Sequence, residues 1–275
     1  MALRAGEGID APQDWPAALD LLRRSAELGF PLAQSSLAAL ANEWFVAEDI
    51  LLGRTNTADW SRLRSAIDLE SWLVPPQPRI VSASPRVAIV EDFAAPQVCE
   101  WIIARARPKL APASVYDNVT GGPASNPVRT NTECHFLGTE SDLIFQMLRS
   151  RIATATETTV QGMEATAVLH YTVGQEFHPH YDFLDEKQPG PAKNIAERGQ
   201  RILTFLLSLN DDYEGGETQF PNLARRYRGR KGNALFFWNV EPDGRPDHRV
   251  LHAGLAPTRG EKWMLSQWVR GPALT

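Results

Sequence analysis

Apolar residues recur at three- and four-residue steps through the first part of the chain, and beyond residue 164 this gives way to short β-type runs. Between Trp15 and Gly29 the spacing predicts a helix, with Asp14 as its N-cap, Pro16 in its first turn and Gly29 at its end. A second helical run follows from Pro31 to about Asn42. One such pair cannot bury both of its faces, so this region is expected to pack on the rest of the chain or to offer a surface to a protein partner. The proline-rich stretch Leu73-Val74-Pro75-Pro76-Gln77-Pro78 stops helix and reads as a linker. It divides the chain into residues 1–76, helical, and residues 77–275, the main domain.

Within the main domain the pattern predicts a strand over Arg86–Val90 and a helix opened by Pro96. That helix carries Val98, Trp101, Ile102 and Ala106 on one side. A Gly/Pro/Asn/Ser-rich loop runs from Asp117 to Pro127. Ser141 can cap a further helix striped with Ile144, Met147, Leu148 and Ile152. Strands are then expected at Ala165–Val173, Ile202–Leu209, Ala234–Trp238, Arg249–Leu255 and Lys262–Val269. Short strands with polar turns, preceded by helices, predict an α+β fold with a jelly-roll core.

A net charge of -5 and a pI near 5.7 argue against broad electrostatic binding to nucleic acid or to anionic membranes. The basic run Arg225–Lys231 reads best as a solvated loop. Cys99 and Cys134 lack the spacing of a zinc site or redox pair, and Cys99 falls in an apolar helical pattern as a buried thiol would. No apolar run approaches the length of a membrane span, and no basic-then-apolar leader opens the sequence. The expectation is a cytoplasmic protein with no membrane partner.

The chemistry concentrates around His180-Tyr181-Asp182, with His252 and Lys262 downstream. Two imidazoles and one carboxylate hold a non-haem Fe(II) on one face and leave the other open for substrate and O2. On a strand, His180 and Asp182 share a face, and Tyr181 points away. His178 shares that parity and competes as a ligand on spacing alone. Lys262 follows His252 across the turn Pro257–Glu261, so two strands joined there would bring both side chains into one barrel interior. A buried ammonium requires an anion. 2-Oxoglutarate has the matching shape: its oxo-acid end chelates iron and its far carboxylate needs a cation.

Several stretches recur together and in order. They are Tyr171 through Asp182 with Gly174, Gln175, Phe177 and His180; Arg201 to Thr204; Leu209-Asn210; Glu214-Gly215-Gly216-Glu217-Thr218 to Pro221; Lys231-Gly232 to Phe236; His252-Ala253-Gly254; and Gly260-Glu261-Lys262-Trp263 to Trp268. From about Pro78 to Gly271 the chain resembles the prolyl 4-hydroxylase family of Fe(II)/2-oxoglutarate dioxygenases. Arg129-Thr130-Asn131-Thr132 resembles an upstream element of that family. The resemblance implies a double-stranded β-helix core, iron on His180, Asp182 and His252, and Lys262 paired with the co-substrate's far carboxylate. It also implies hydroxyl hydrogen bonds from Tyr171 and Thr204 in that pocket, O2 as oxidant, and ascorbate as a reductant. By strand parity Lys262, Met264, Ser266 and Trp268 lie to one side, which turns Trp268 inward and Trp263 outward. Ser208 stands where the family often has tyrosine, and Asn131 departs from the usual upstream element. Both departures bear on the substrate rather than on the metal.

The implied activity is hydroxylation of an unactivated C–H bond, with release of succinate and CO2. The leading target is a prolyl residue in a peptide or protein. A free amino acid or other small molecule is the second reading, and a non-catalytic β-barrel binding module the third. The loops Tyr116–Thr132 and Phe183–Arg198 face the substrate in this scheme, with Tyr116 and Arg129 as contacts. Arg129 holds a carbonyl or carboxylate there or faces solvent. The N-terminal helices resemble one Sel1-like repeat and are equally well read as a plain hairpin.

Overall fold

The structure is a computed structural model, and it describes residues 1–8, 12–54, 58–116, 123–124, 127–136 and 141–272, the side chains of 116, 123 and 124 excepted. The loop from Asp117 to Pro127 and the Tyr116 side chain therefore lie largely outside the described residues. Short helices come first: α1 (Ala2–Glu7), α2 (Trp15–Glu27), α3 (Pro31–Leu40), α4 (Trp44–Leu51), α5 (Trp60–Ala66) and α6 (Leu69–Leu73). Strands β1 (Arg79–Ala83) and β2 (Arg86–Val90) lead to helix α7 (Pro96–Ala106). Strands β3 (Ala111–Pro112), β4 (Val115–Tyr116), β5 (Pro123–Ala124) and β6 (Thr132–Phe136) follow. After α8 (Leu143–Thr156) come β7 (Thr166–Tyr171), β8 (Phe177–His180), α9 (Pro189–Arg198) and β9 (Arg201–Ser208). The chain continues through β10 (Glu214–Gly215), β11 (Thr218–Phe220), β12 (Arg225–Tyr227) and β13 (Ala234–Trp238). It closes with β14 (His252–Gly254), β15 (Pro257–Arg259) and β16 (Lys262–Arg270).

Two compact units result. One comprises Met1–Pro75 together with the stretch that carries α8. Its second helix, α2, begins where the Asp14 carboxylate accepts from Ala17 N at 2.8 Å, and the chain turns at Gly29 with φ +87. Helix α2 buries Ala18, Leu19, Leu22 and Ala26, and nearly all of α3 is buried. Helix α8 packs against α1, α3 and α6. Its N-cap is Asp142, whose Oδ1 accepts from Phe145 N at 3.1 Å, one residue after the expected Ser141. A Cβ on Gly6 would lie 2.5 Å from Gln146 Oε1, so α1 approaches α8 closely there and a side chain at that position would have to displace the Gln146 amide.

The second unit holds the sheets. Its larger sheet has eight strands in the order β1-β2-β13-β9-β16-β7-β6-β3, antiparallel throughout. A four-stranded sheet has the order β12-β11-β14-β8. One core cluster joins them: Ile89, Leu169, Leu206, Phe237 and Met264 of the larger sheet share it with Phe220 of β11. The opposite face of the larger sheet is also covered, as Phe93 meets Phe205 with ring centroids 4.9 Å apart. Burial on both faces explains why β9 and β13 read as almost unbroken apolar runs.

The α+β character is present, but the jelly-roll, double-stranded β-helix core is not. The eight-stranded sheet is open, with β1 and β3 as its edges, and among the described residues no strand ladder joins it to the four-stranded sheet. Alternation along a strand specifies that one face is buried; it carries no information on whether the ladder closes. Here the edges are blunted instead. Strand β3 has two residues, one of them Pro112, and β1 is irregular between Ile80 and Ser82.

Candidate metal centre

His180 and His252 face each other directly across the antiparallel pair β8–β14. Cross-strand partners lie close enough for side chains to touch, and the two imidazole centroids are 4.3 Å apart. Strand β8 ends at His180, so Asp182 lies two residues past the strand rather than on it. Even so, its carboxylate returns to the pair. Asp182 Oδ1 is 3.6 Å from His180 Nε2, and Oδ2 is 3.3 Å from His252 Nε2. One donor atom from each residue falls within 4.8 Å of the others. His178, the competing ligand, is exposed and pairs with Glu176 at 3.1 Å.

The two imidazoles are held alike. His180 Nδ1 lies 2.7 Å from the His178 carbonyl, and His252 Nδ1 lies 3.1 Å from the Val250 carbonyl. A carbonyl only accepts, so each Nδ1 carries a proton and Nε2 is the atom that each ring turns toward Asp182. Burial and the neighbouring His252 push the His180 pKa down against the pull of Asp182, which favours a ring able to offer Nε2 to a cation. Burial opposes ionisation of Asp182, yet charge attraction to His252 and hydrogen bonds from the His180 and His252 rings, which act when Nε2 carries a proton, outweigh it and hold the carboxyl well below its usual range. A buried carboxylate facing two imidazole Nε2 atoms fits a divalent cation, which would take the place of protons there.

Lys262 starts β16 opposite Tyr171 of β7, with its ammonium 5.1 Å from the Tyr171 ring centroid. It is 2 % exposed, and burial brings its pKa down from 10.5 to about 8, with attraction to Glu217 opposing. Among the described residues no carboxylate comes within ion-pair distance of it. One narrow pocket is lined by His180, Asp182 and His252 and also by Tyr171, Lys262 and Trp268. Its apolar walls include Leu169, Leu206 and Met264. An unpaired cation and a carboxylate–imidazole cluster in one pocket fit a diacid that also binds the metal. The route differs from the expected hairpin. His252 lies in the four-stranded sheet and Lys262 in the eight-stranded one, and the intervening β15 pairs with β10.

The profile of the 2OG-Fe(II) oxygenase superfamily matches residues 166–270. Prolyl 4-hydroxylase 1 of Arabidopsis thaliana is 34% identical over 211 residues, covering 72% of this chain and 73% of that protein. The chain belongs to the prolyl 4-hydroxylase family of 2OG-Fe(II) oxygenases. Prolyl 4-hydroxylase 5 of the same plant is also 34% identical, over 69% of each chain. Among solved structures, the 2OG complex of viral collagen prolyl hydroxylase from Paramecium Bursaria Chlorella virus-1 superposes with a TM-score of 0.52 at 26% identity. That match covers 68% of this chain and 96% of the viral one. As a member of the prolyl 4-hydroxylase family, the chain is a 2-oxoglutarate-dependent dioxygenase with an Fe(II)/2-oxoglutarate type of site.

Not every expected side chain of this prolyl 4-hydroxylase relative sits where its sequence suggested. Thr204 does not line the pocket. Its hydroxyl donates to Asp182 Oδ2 at 2.6 Å. Trp268 lines the pocket with the Arg201 guanidinium stacked 3.5 Å from its ring centroid. Trp263 is on the other face but is buried there, 4.3 Å from the His170 ring. Arg129 is neither solvent-facing nor free: it donates to Asn131, to the Ser114 carbonyl at 2.7 Å and to Glu133 at 2.5 Å. It also lines a wider cleft of about 570 Å³ with Tyr181, Phe183, Arg201 and Arg270. Asn239, absent from the expected set, touches Thr204. A lone asparagine after an apolar strand gives no signal in sequence.

Proposed function

We propose that this dioxygenase hydroxylates a prolyl residue within a peptide or protein substrate, using Fe(II), 2-oxoglutarate and O2, with ascorbate as reductant. The single observation that carries the reading is the shared pocket of His180, Asp182, His252 and Lys262. In it, His180, Asp182 and His252 hold the metal, and Lys262 takes the far carboxylate of the co-substrate. When bound, iron and 2-oxoglutarate supply an oxidant able to break an unactivated C–H bond, with succinate and CO2 as co-products.

The protein's own contribution is placement and exclusion of water. Tyr171, buried with its pKa pushed up to about 12, stays a neutral hydroxyl beside Lys262. Leu169, Leu206 and Met264 keep the pocket dry, which strengthens the pairing of Lys262 with a carboxylate. The cleft bearing Arg129, Arg201 and Trp268 opens beside the metal ligands, and its size favours a peptide over a free amino acid. The relatives' names support prolyl as the target residue. The N-terminal helices, with Phe45 and Leu52 exposed, are assigned to a protein partner.

The test is succinate formation with a proline-containing peptide library, scored by the mass gain of one oxygen atom. Turnover should require both iron and 2-oxoglutarate. Oxygen gained by free proline but by no peptide would overturn the peptide assignment. No succinate under any condition would overturn the catalytic one.

A further inference from the structure

Behind Asp182 lies a line of two buried polar side chains. Thr204 Oγ1 donates to Asp182 Oδ2 at 2.6 Å, and Asn239 Nδ2 donates to Thr204 Oγ1 at 2.9 Å. Thr204 is 1 % exposed and Asn239 is 0 % exposed, so no solvent competes for these bonds. The direction follows from proton count. A threonine hydroxyl has one proton and accepts through its lone pairs. With Asn239 supplying a proton to the oxygen, the hydroxyl's own proton is left for the carboxylate. A reversed amide would instead offer a second acceptor and draw that proton away from Asp182.

The backbone clamps the asparagine at both ends of its peptide. Asn239 N donates to the Ile202 carbonyl at 2.8 Å, and its carbonyl accepts from Asp247 N at 2.9 Å. The line thus ties the segment after β13 to β9 and to the residue beyond β8. Among the described residues, the Nδ1 atoms of the two histidines meet backbone carbonyls of their own segments rather than side chains.

We propose that Thr204 and Asn239 are positioning residues that fix the rotation of the Asp182 carboxylate as a metal ligand, Asn239 acting only through the Thr204 hydroxyl. This rests on the metal assignment above. The measurement is the affinity of the full chain for Co(II) or Mn(II), by calorimetry, without co-substrate. Thr204→Val, which keeps the shape and removes the hydroxyl, should weaken binding roughly 10- to 100-fold. Thr204→Ser should restore it. Asn239→Leu, or Asn239→Ala if the former does not fold, should weaken binding in the wild-type background. In the Thr204→Val background the same change should add nothing further, because its path is already cut. Unchanged affinity in Thr204→Val, or an additive loss in the double variant, would overturn the inference while leaving the metal site standing. A wild-type chain that takes up neither ion would overturn the site and the inference together. A purely structural role would lower the melting temperature of every variant and leave the ion affinity of the folded protein unmoved.

Discussion

Replacing Lys262 by methionine tests the co-substrate pocket from two sides at once. The ammonium is buried, and its proton affinity falls so that its pKa drops from 10.5 to about 8. At about 1.4 kcal/mol per tenfold change, the free protein bears roughly 3 kcal/mol for keeping that charge inside at pH 7. The folded pKa lies below the unfolded one, so between pH 8 and 10.5 the unfolded chain binds the extra proton. Wild-type stability attributable to this residue therefore rises across that window and is flat below it. Lys262→Met has a similar length and no charge. In urea unfolding at pH 7 without co-substrate it should be as stable as wild type or more stable, by up to about 3 kcal/mol. The advantage should shrink toward zero by about pH 10.5. In the same variant, binding of 2-oxoglutarate should weaken by about 2–5 kcal/mol, since a buried carboxylate loses its partner. A variant that is markedly less stable at pH 7, with co-substrate affinity intact, would show that Lys262 is paired within the protein and would refute the pocket's logic.

The remaining predictions concern single contacts. His180→Ala should abolish turnover and Mn(II) binding while the far-ultraviolet circular dichroism stays that of the wild type; full activity would remove the histidine from the ligand set. Gly216 has φ +67, and an added Cβ would lie 2.9 Å from Tyr213 Cε2 and 3.4 Å from Lys262 Cδ. Gly216→Ala should thus cost about 1–3 kcal/mol of stability and raise the KM for 2-oxoglutarate with metal affinity unchanged. An unaltered KM would mean that the Lys262 stem does not depend on this wall. Asp142→Ala should lower stability by about 1 kcal/mol through loss of the α8 cap, read from the urea midpoint, whereas Ser141→Ala should not.

Sequence pointed to the family of this protein and to the residues that cluster in its pocket better than to its architecture. His180, Asp182, His252 and Lys262, which the structure gathers in one pocket, stood out in sequence because their residue types leave few other uses for such a set. The path that unites them was not legible: the β14–β15–β16 stretch suggested one hairpin, and the chain instead places His252 and Lys262 in separate sheets. The jelly-roll expectation failed for a related reason, since periodicity reports which face of a strand is buried and not which edges pair. The resemblance implies a hydroxyl hydrogen bond from Thr204 in the pocket; the bond that the structure shows goes to Asp182, which lines that pocket. Asn239 was invisible because its role depends on Thr204, thirty-five positions away in the chain.

The placement of α8 bears on how the protein can be cut. Strands β6 and β7 are hydrogen-bonded neighbours, yet the chain between them leaves to supply a helix that is covered by α1, α3 and α6. Leu143, Ile144, Phe145, Met147 and Leu148 are buried there. A fragment begun at the proline linker would keep this helix, tethered at both ends to paired strands, and strip away its cover. Such a fragment should be sticky and prone to self-association. A soluble catalytic core calls for replacing the excursion with a short turn as well as trimming the leading helices.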